Sequence, residues 1–160
     1  MANLIGTNAS ETLNGTGQFD DITLLGGNDT TDAGLGNDFV DGGSGNDIIR
    51  LGGGDDITGA GTGDDFVVGG PGADDMFGDA GNDQIYAGVD DDGNDTLAGG
   101  EGLDILSGGS GDDSIGGGNG SDTIFGGDGN DIIFDAGFGF ETVTADNGNR
   151  FFGGDGNDQI

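Results

Sequence analysis

A carboxylate returns at a fixed interval along most of this chain: Glu11, Asp20, Asp29, Asp38, Asp47, Asp56, Asp65, Asp74 and Asp83 are each nine residues apart. After a three-residue insertion the series resumes at Asp95, Asp104, Asp113, Asp122 and Asp131. The chain has no histidine and no cysteine, so imidazole bases, zinc sites and disulfides are excluded. Carboxylates in quantity, with peptide carbonyls as the other abundant oxygen, suit a hard cation, and calcium takes six to eight such oxygens.

The elements that position these carboxylates follow from the same nine-residue unit. Units start at residues 6, 15, 24, 33, 42, 51, 60, 69, 78 and 87, then at 99, 108, 117 and 126, with looser units from 135, 145 and 153. The sixth position is acidic in sixteen of seventeen units, the exception being Arg150, and the fourth is glycine except at Ala9 and Gln18. The eighth position is apolar, running from Leu13, Ile22 and Val40 to Ile133, Val143, Phe152 and Ile160, with only Thr31 and Thr58 departing. Positions seven to nine therefore predict a three-residue strand with its middle side chain inward. Positions one to six predict a turn in which glycine supplies positive φ. A strand and a tight turn, repeated, stack into a solenoid.

Composition sets the difficulty this coil must overcome. Of 160 residues, 42 are glycine, and 32 acidic side chains oppose two basic ones for a formal charge of -30. Such a chain repels nucleic acid and, once compact, itself. One inward residue per nine is a thin core against the backbone entropy of ordering. A divalent ion between the carboxylates of successive turns would join the turns and cancel charge together.

Other chemistries find no support. Reading Asp90, Asp92 and Asn94 as the start of an EF-hand puts Asp95 where that loop needs glycine. No HExxH or GxSxG motif occurs, no glycine cluster opens a helix to hold phosphate, and residues 1–14 lack the basic and apolar regions of a Sec signal. No apolar run approaches 18 residues. Irregularity in the third column (Asn8, Gly17, Gly26, Leu35, Ser44) argues against a flat ice-binding rank. Phe39, Phe66, Phe77, Tyr86, Phe125 and Phe134 fall at positions seven or nine and are expected to point outward as sheet-surface packing.

The units GGSGNDIIR (42–50), GGNGSDTIF (117–125) and GGDGNDIIF (126–134) resemble the RTX, or hemolysin-type, calcium-binding repeat GGxGxDxUx, where U is a large apolar residue. The resemblance covers residues 6–160. It implies an all-β fold, a right-handed parallel β-roll (β-solenoid) with two repeats per turn and calcium held between unit n and unit n+2. One loop gives the carbonyls of its second and fourth positions and its sixth-position Asp. The loop 18 residues on gives the carbonyls of its first and third positions and its own Asp.

Carried to this chain, the resemblance makes Gly43, Gly45 and Asp47 share an ion with Ala60, Thr62 and Asp65. Gly61, Gly63 and Asp65 pair with Gly78, Ala80 and Asp83, so Asp65 serves two ions. Gly109, Gly111 and Asp113 face Gly126, Asp128 and Asp131. The same geometry makes ligands of Gly34, Gly36 and Asp38, of Gly52, Gly54 and Asp56, and of Gly70, Gly72 and Asp74. It adds Asp95, then Gly100, Gly102 and Asp104 with Gly117, Asn119 and Asp122. Twelve consecutive units, from Leu24 to Phe134, keep both the fourth-position glycine and the sixth-position Asp. They define ten pairs, and about ten Ca2+ ions would bring the charge from -30 to about -10. Ala9 and Gln18 at the start, and Glu141 and Arg150 at the finish, depart from the pattern.

The expected organisation is one β-roll domain over 1–160, regular from 6 to 134, with an acidic insertion near 90–92 and degenerate, truncated repeats over 135–160. The resemblance implies a non-catalytic calcium-binding module of a secreted, extracellular bacterial protein. A type I secretion system and a larger parent protein are its expected partners. Because metal binding couples to folding, such a chain stays unfolded where calcium is scarce. Two alternatives are the non-catalytic tail of a secreted RTX enzyme or toxin, and a segment of a surface adhesin. The stop at Ile160, inside a repeat, is what a fragment would show.

Overall fold

The structure is a computed structural model, and it describes residues 1–88, 92–134 and 149–160. Among these residues there is no helix, as the glycine content requires. One sheet stacks β1 (Asn3–Ile5), β3 (Asp21–Thr23), β5 (Phe39–Asp41), β7 (Ile57–Thr62), β9 (Asp75–Ala80), β11 (Thr96–Gly102), β13 (Ser114–Gly120) and β15 (Ile132–Phe134). The other stacks β2 (Thr12–Thr16), β4 (Thr30–Leu35), β6 (Ile48–Gly53), β8 (Phe66–Val68), β10 (Gln84–Tyr86), β12 (Ile105–Ser110), β14 (Thr123–Asp128) and β16 (Arg150–Asp155). Successive strands alternate between the sheets and neighbouring strands pair in parallel, so the chain is a β-solenoid with two repeats per turn.

Register follows the apolar column. In one sheet Leu4, Ile22, Val40, Thr58, Met76, Leu97, Ile115 and Ile133 lie rung above rung. In the other, Leu13, Thr31, Ile49, Val67, Ile85, Leu106, Ile124 and Phe151 do the same. A slip of one residue would turn each row outward, which is why eighteen-residue spacing holds. The insertion does not break it: Met76 pairs with Leu97 and Ile85 with Leu106 across the three extra residues. Asp90 and Asp91, like Glu141 and Val143, lie outside the described residues.

Three expectations need correction. Strands are three to seven residues long, because many continue from position nine into the next unit's glycines. The core is wider than one residue per nine: first-position Leu24, Ala33, Leu51, Ala60 and Ala87 are fully buried beside the eighth-position row. Strand alternation accounts for this, since the first position lies two residues beyond the inward eighth. Finally, Phe151, not Phe152, joins the inward row, and Phe152 stacks outside on Phe125 with ring centroids 5.0 Å apart. Arg150 is thereby moved to the outward seventh position, opposite Thr123.

Thr31 and Thr58 sit fully buried in the apolar rows. Thr31 spends its hydroxyl on the Leu13 carbonyl at 2.6 Å, whereas Thr58 Oγ1 has no hydrogen-bond partner. The outward aromatics behave as expected: Phe39 and Phe125 are exposed, and Phe66 meets Tyr86 on the surface of the second sheet.

Candidate metal centre: the aspartate ladder

Each turn ends by folding its sixth-position aspartate under the loop, and the result is a continuous ladder. Asp20, Asp29, Asp38, Asp47, Asp56, Asp65, Asp74, Asp83, Asp95, Asp104, Asp113, Asp122 and Asp131 are all at most 2% exposed. Carboxylates are rarely buried so completely without a partner of opposite charge. From Asp38 onward each Oδ1 accepts the backbone N–H of the aspartate one turn earlier: Asp47 N–H reaches Asp65 Oδ1 at 2.7 Å, and Asp65 N–H reaches Asp83 Oδ1 at 2.8 Å. The rungs continue across the insertion, from Asp74 to Asp95 and from Asp83 to Asp104, both at 2.8 Å. Asp104 to Asp122 and Asp113 to Asp131 extend the series.

The second oxygen is left over. In Asp29, Asp38, Asp47, Asp56, Asp65, Asp83, Asp104 and Asp131, Oδ2 is buried with no hydrogen bond. A buried, unsatisfied carboxylate oxygen costs several times an ordinary hydrogen bond, so this row needs a further partner. Electrostatics say the same. Burial pushes the Asp65 carboxyl up to about 7, opposed by the Asp47 N–H and assisted by the charges of Asp47, Asp64 and Asp79. Asp83 and Asp104 are likewise raised to about 7 and Asp56 to about 6, again mainly by burial.

Backbone oxygens line the same edge. Gly61 and Gly63 have φ of 107° and 127°, and a Cβ on either would collide with the carbonyl oxygens of Gly43 and Gly45. Glycine at positions two and four thus provides both the left-handed turn and the close approach of carbonyls from the turn before. The same stacking sets Gly52 and Gly70 over the carbonyls of Gly34 and Gly52, and Gly54 and Gly72 over those of Gly36 and Gly54. Beyond the insertion it sets Gly102 over Gly81, Gly118 over Gly100, Gly127 over Gly109 and Gly129 over Gly111. First-position glycines leave room of another kind: a Cβ at Gly78 would meet Asp83 Oδ2 and the Gly99 carbonyl, and one at Gly126 would meet Asp131 Oδ2.

The predicted partners are therefore brought together turn by turn. Position three of the later unit is hydrogen-bonded to position four of the earlier, as in Gly45 N–H to Thr62 O at 2.7 Å, Gly63 to Ala80 at 2.8 Å and Gly111 to Asp128 at 2.8 Å. Gly117 offers its carbonyl beside Gly99 and Asp104, and Asn119 pairs in register with Glu101. One assignment changes. At the finish Asn149, not Arg150, takes the sixth position, its Oδ1 accepting the Asp122 N–H at 2.6 Å. At the start Asp29 stands in the ladder as its unit's pattern predicts; Leu25, in place of the second-position glycine, keeps the turn with φ 73°.

A second ladder, at position five, had no counterpart in the sequence reading. Asn46 N–H bonds Asn28 Oδ1, Asp64 N–H bonds Asn46 Oδ1 and Asn82 N–H bonds Asp64 Oδ1, at 2.9 to 3.2 Å. On the opposite edge Asn37, Asp55 and Ala73 are linked in the same way, and Asn94, Asp112, Asn130 and Asn157 follow. These bonds run opposite to those of the aspartates, toward the earlier turn. The frequent Asn or Asp before the sixth position was the available signal.

No group of three or more acidic side chains gathers among the described residues, so any ion here must be held by carboxylate and carbonyl oxygens jointly. That donor set, with its orphaned Oδ2 row, fits a hard cation. A parallel β-solenoid carrying a buried carboxylate ladder in its turns is the class of protein these features define. The family model of the RTX calcium-binding nonapeptide repeat (4 copies) matches residues 5–40, 25–58, 32–67, 59–93, 89–124 and 117–134, and the chain belongs to that family. Repeats of this family bind calcium, the cation to which the ladder's oxygens answer. No curated protein matches the chain.

Proposed function

We propose that this chain is a calcium-dependent folding module of a secreted bacterial protein, one β-roll domain over residues 1–160 held by about ten ions. The observation that carries the proposal is the set of buried Oδ2 atoms of Asp29, Asp38, Asp47, Asp56, Asp65, Asp83, Asp104 and Asp131, which no protein donor satisfies. In this reading Asp47, Asp65 and Asp83 each supply an oxygen to the sites between successive turns. Carbonyls of the flanking loops, such as Gly43, Gly45, Ala60 and Thr62, complete them. Calcium supplies the positive charge that makes the buried carboxylates tolerable. The residues do the rest: glycines aim the carbonyls, the Oδ1 rungs fix each carboxylate, and the apolar rows exclude water beneath.

A chain that folds only with calcium is extended where calcium is scarce and compact where it is millimolar. That behaviour suits passage through a type I secretion channel followed by folding outside. Circular dichroism with excess EDTA and then excess calcium is the test: a coil spectrum should convert cooperatively to β-structure. An identical folded spectrum in both would overturn the proposal.

A further inference from the structure

The first two turns treat their carboxylates differently from all that follow. At position two, where later units have Gly34, Gly43, Gly52, Gly61 and Gly70, these turns have Thr7 and Thr16. Thr16 Oγ1 donates to Asp20 Oδ2 at 2.7 Å, and the Thr16 N–H donates to the same oxygen at 2.5 Å. The Ala2 N–H occupies Asp20 Oδ1. Thr7 repeats the arrangement, its N–H on Glu11 Oε1 and its hydroxyl 3.4 Å from Glu11 Oε2. At Gly52 and Gly70 the second-position N–H goes across to the next turn instead, to the Gly69 carbonyl at 2.8 Å and to that of Ala87 at 2.6 Å.

Backbone conformation supports the distinction independently. Leu25 and Asp79 also replace a second-position glycine, yet both keep the left-handed turn, with φ 73° and 70°. Thr7 and Thr16 are not among the positive-φ residues, and neither are Ala9 and Gln18 at position four. A β-branched residue pays heavily for positive φ, so threonine turns the loop the other way. Side-chain replacement alone does not remove the metal-ready loop; threonine at this position does.

We infer that the Thr16 and Thr7 hydroxyls close the first two turns without metal, standing where later turns need an ion, so that the calcium ladder begins at Asp29. This rests on the calcium reading above. Two hydrogen bonds to Asp20 Oδ2 satisfy the oxygen that is orphaned in Asp29, Asp38 and Asp47. Asp20 then needs no calcium to be buried, Glu11 is only partly buried, and the two loops offer a preformed surface on which the first metal-bound turn stacks.

Native mass spectrometry of the full chain in saturating calcium tests the inference by counting ions. Asp20→Asn should bind as many ions as the parent chain, whereas Asp65→Asn should bind fewer. Loss of an ion from Asp20→Asn would overturn the inference while leaving the calcium reading intact; a parent chain with no bound calcium would remove both. Hydrogen exchange on the calcium-loaded protein tests the hydroxyl itself. Amides of residues 16–23 should exchange about tenfold faster in Thr16→Val, the loss of one hydrogen bond to a charged group, and at the parent rate in Thr16→Ser. Equal exchange in the Val and Ser variants would show that the hydroxyl does not close the turn.

Discussion

Asp65 shows why a single residue type can govern this fold. Its Oδ1 is committed to the Asp47 N–H and its own N–H to Asp83, so it stands in two rungs at once. Replacing it removes the acceptor for the Asp47 N–H and, in the calcium reading proposed above, an ion ligand. Asp65→Ala or Asp113→Ala is expected to raise the calcium midpoint of folding more than Asp158→Ala, because Asp158 stands in the last described rung, accepting from Asp131 at 3.2 Å. Titrating each variant with calcium by circular dichroism checks this, and equal midpoints would contradict it. Protonation offers a second handle. Asp65, Asp83 and Asp104, raised to about 7, bind protons more tightly folded than unfolded. Metal-free stability from these groups is greatest below the ordinary carboxylate range near 3.8 and is lost as pH rises from there to about 7. In EDTA, acidification from pH 7 toward pH 4 should therefore increase β-structure. Calcium affinity should move the other way, rising with pH over the same window, because the ion competes with the proton for Oδ2.

At the scale of the strand and turn, the two glycine columns and the apolar rows are separately testable. Gly61→Ala forces a Cβ onto the Gly43 carbonyl at φ 107°, so it combines left-handed strain with a clash. A cost of more than about 1 kcal/mol is expected, measured as denaturant stability in saturating calcium. Gly17, by contrast, has open space where a Cβ would be, and Gly17→Ala should be near neutral. Ile49 is fully buried between Thr31 and Val67 in its row, and Ile49→Ala should cost about 2–5 kcal/mol. Because a solenoid turn touches only its neighbours, that loss should appear first as faster hydrogen exchange in β4, β6 and β8.

For the molecule as a whole, stability is a balance between stacked rows and stacked charge. Thirty-two acidic and two basic side chains repel one another in the compact state, and roughly ten divalent ions would cancel about two-thirds of the net charge. Both basic residues, Arg50 and Arg150, pair on the same sheet, whose outward face also carries Phe66, Tyr86, Phe125 and Phe152. Calcium removal should accordingly unfold the coil as a unit, and added sodium chloride should substitute only in part, screening repulsion without satisfying Oδ2.

Much of this was readable from spacing. The nine-residue carboxylate series points to a hard-cation chemistry, and apolar residues at position eight point to an inward row, since both depend only on residue type and period; two repeats per turn came from the resemblance to the RTX repeat and was shown by the sheet order. Spacing also shows that Asp29 and Leu25 share a unit, but not that Leu25 would accept φ 73° and keep the turn. Tertiary stacking decided what one repeat cannot specify. It buried Leu24 and Leu51 beside the main row, seated Asn149 rather than Arg150 against Asp122, and drew the position-five side chains into a second ladder. It also aimed Thr16 at Asp20. These outcomes depend on which backbone group of the neighbouring turn lies within reach. Sequence period determines the repeat, and contact between turns determines what each repeat satisfies.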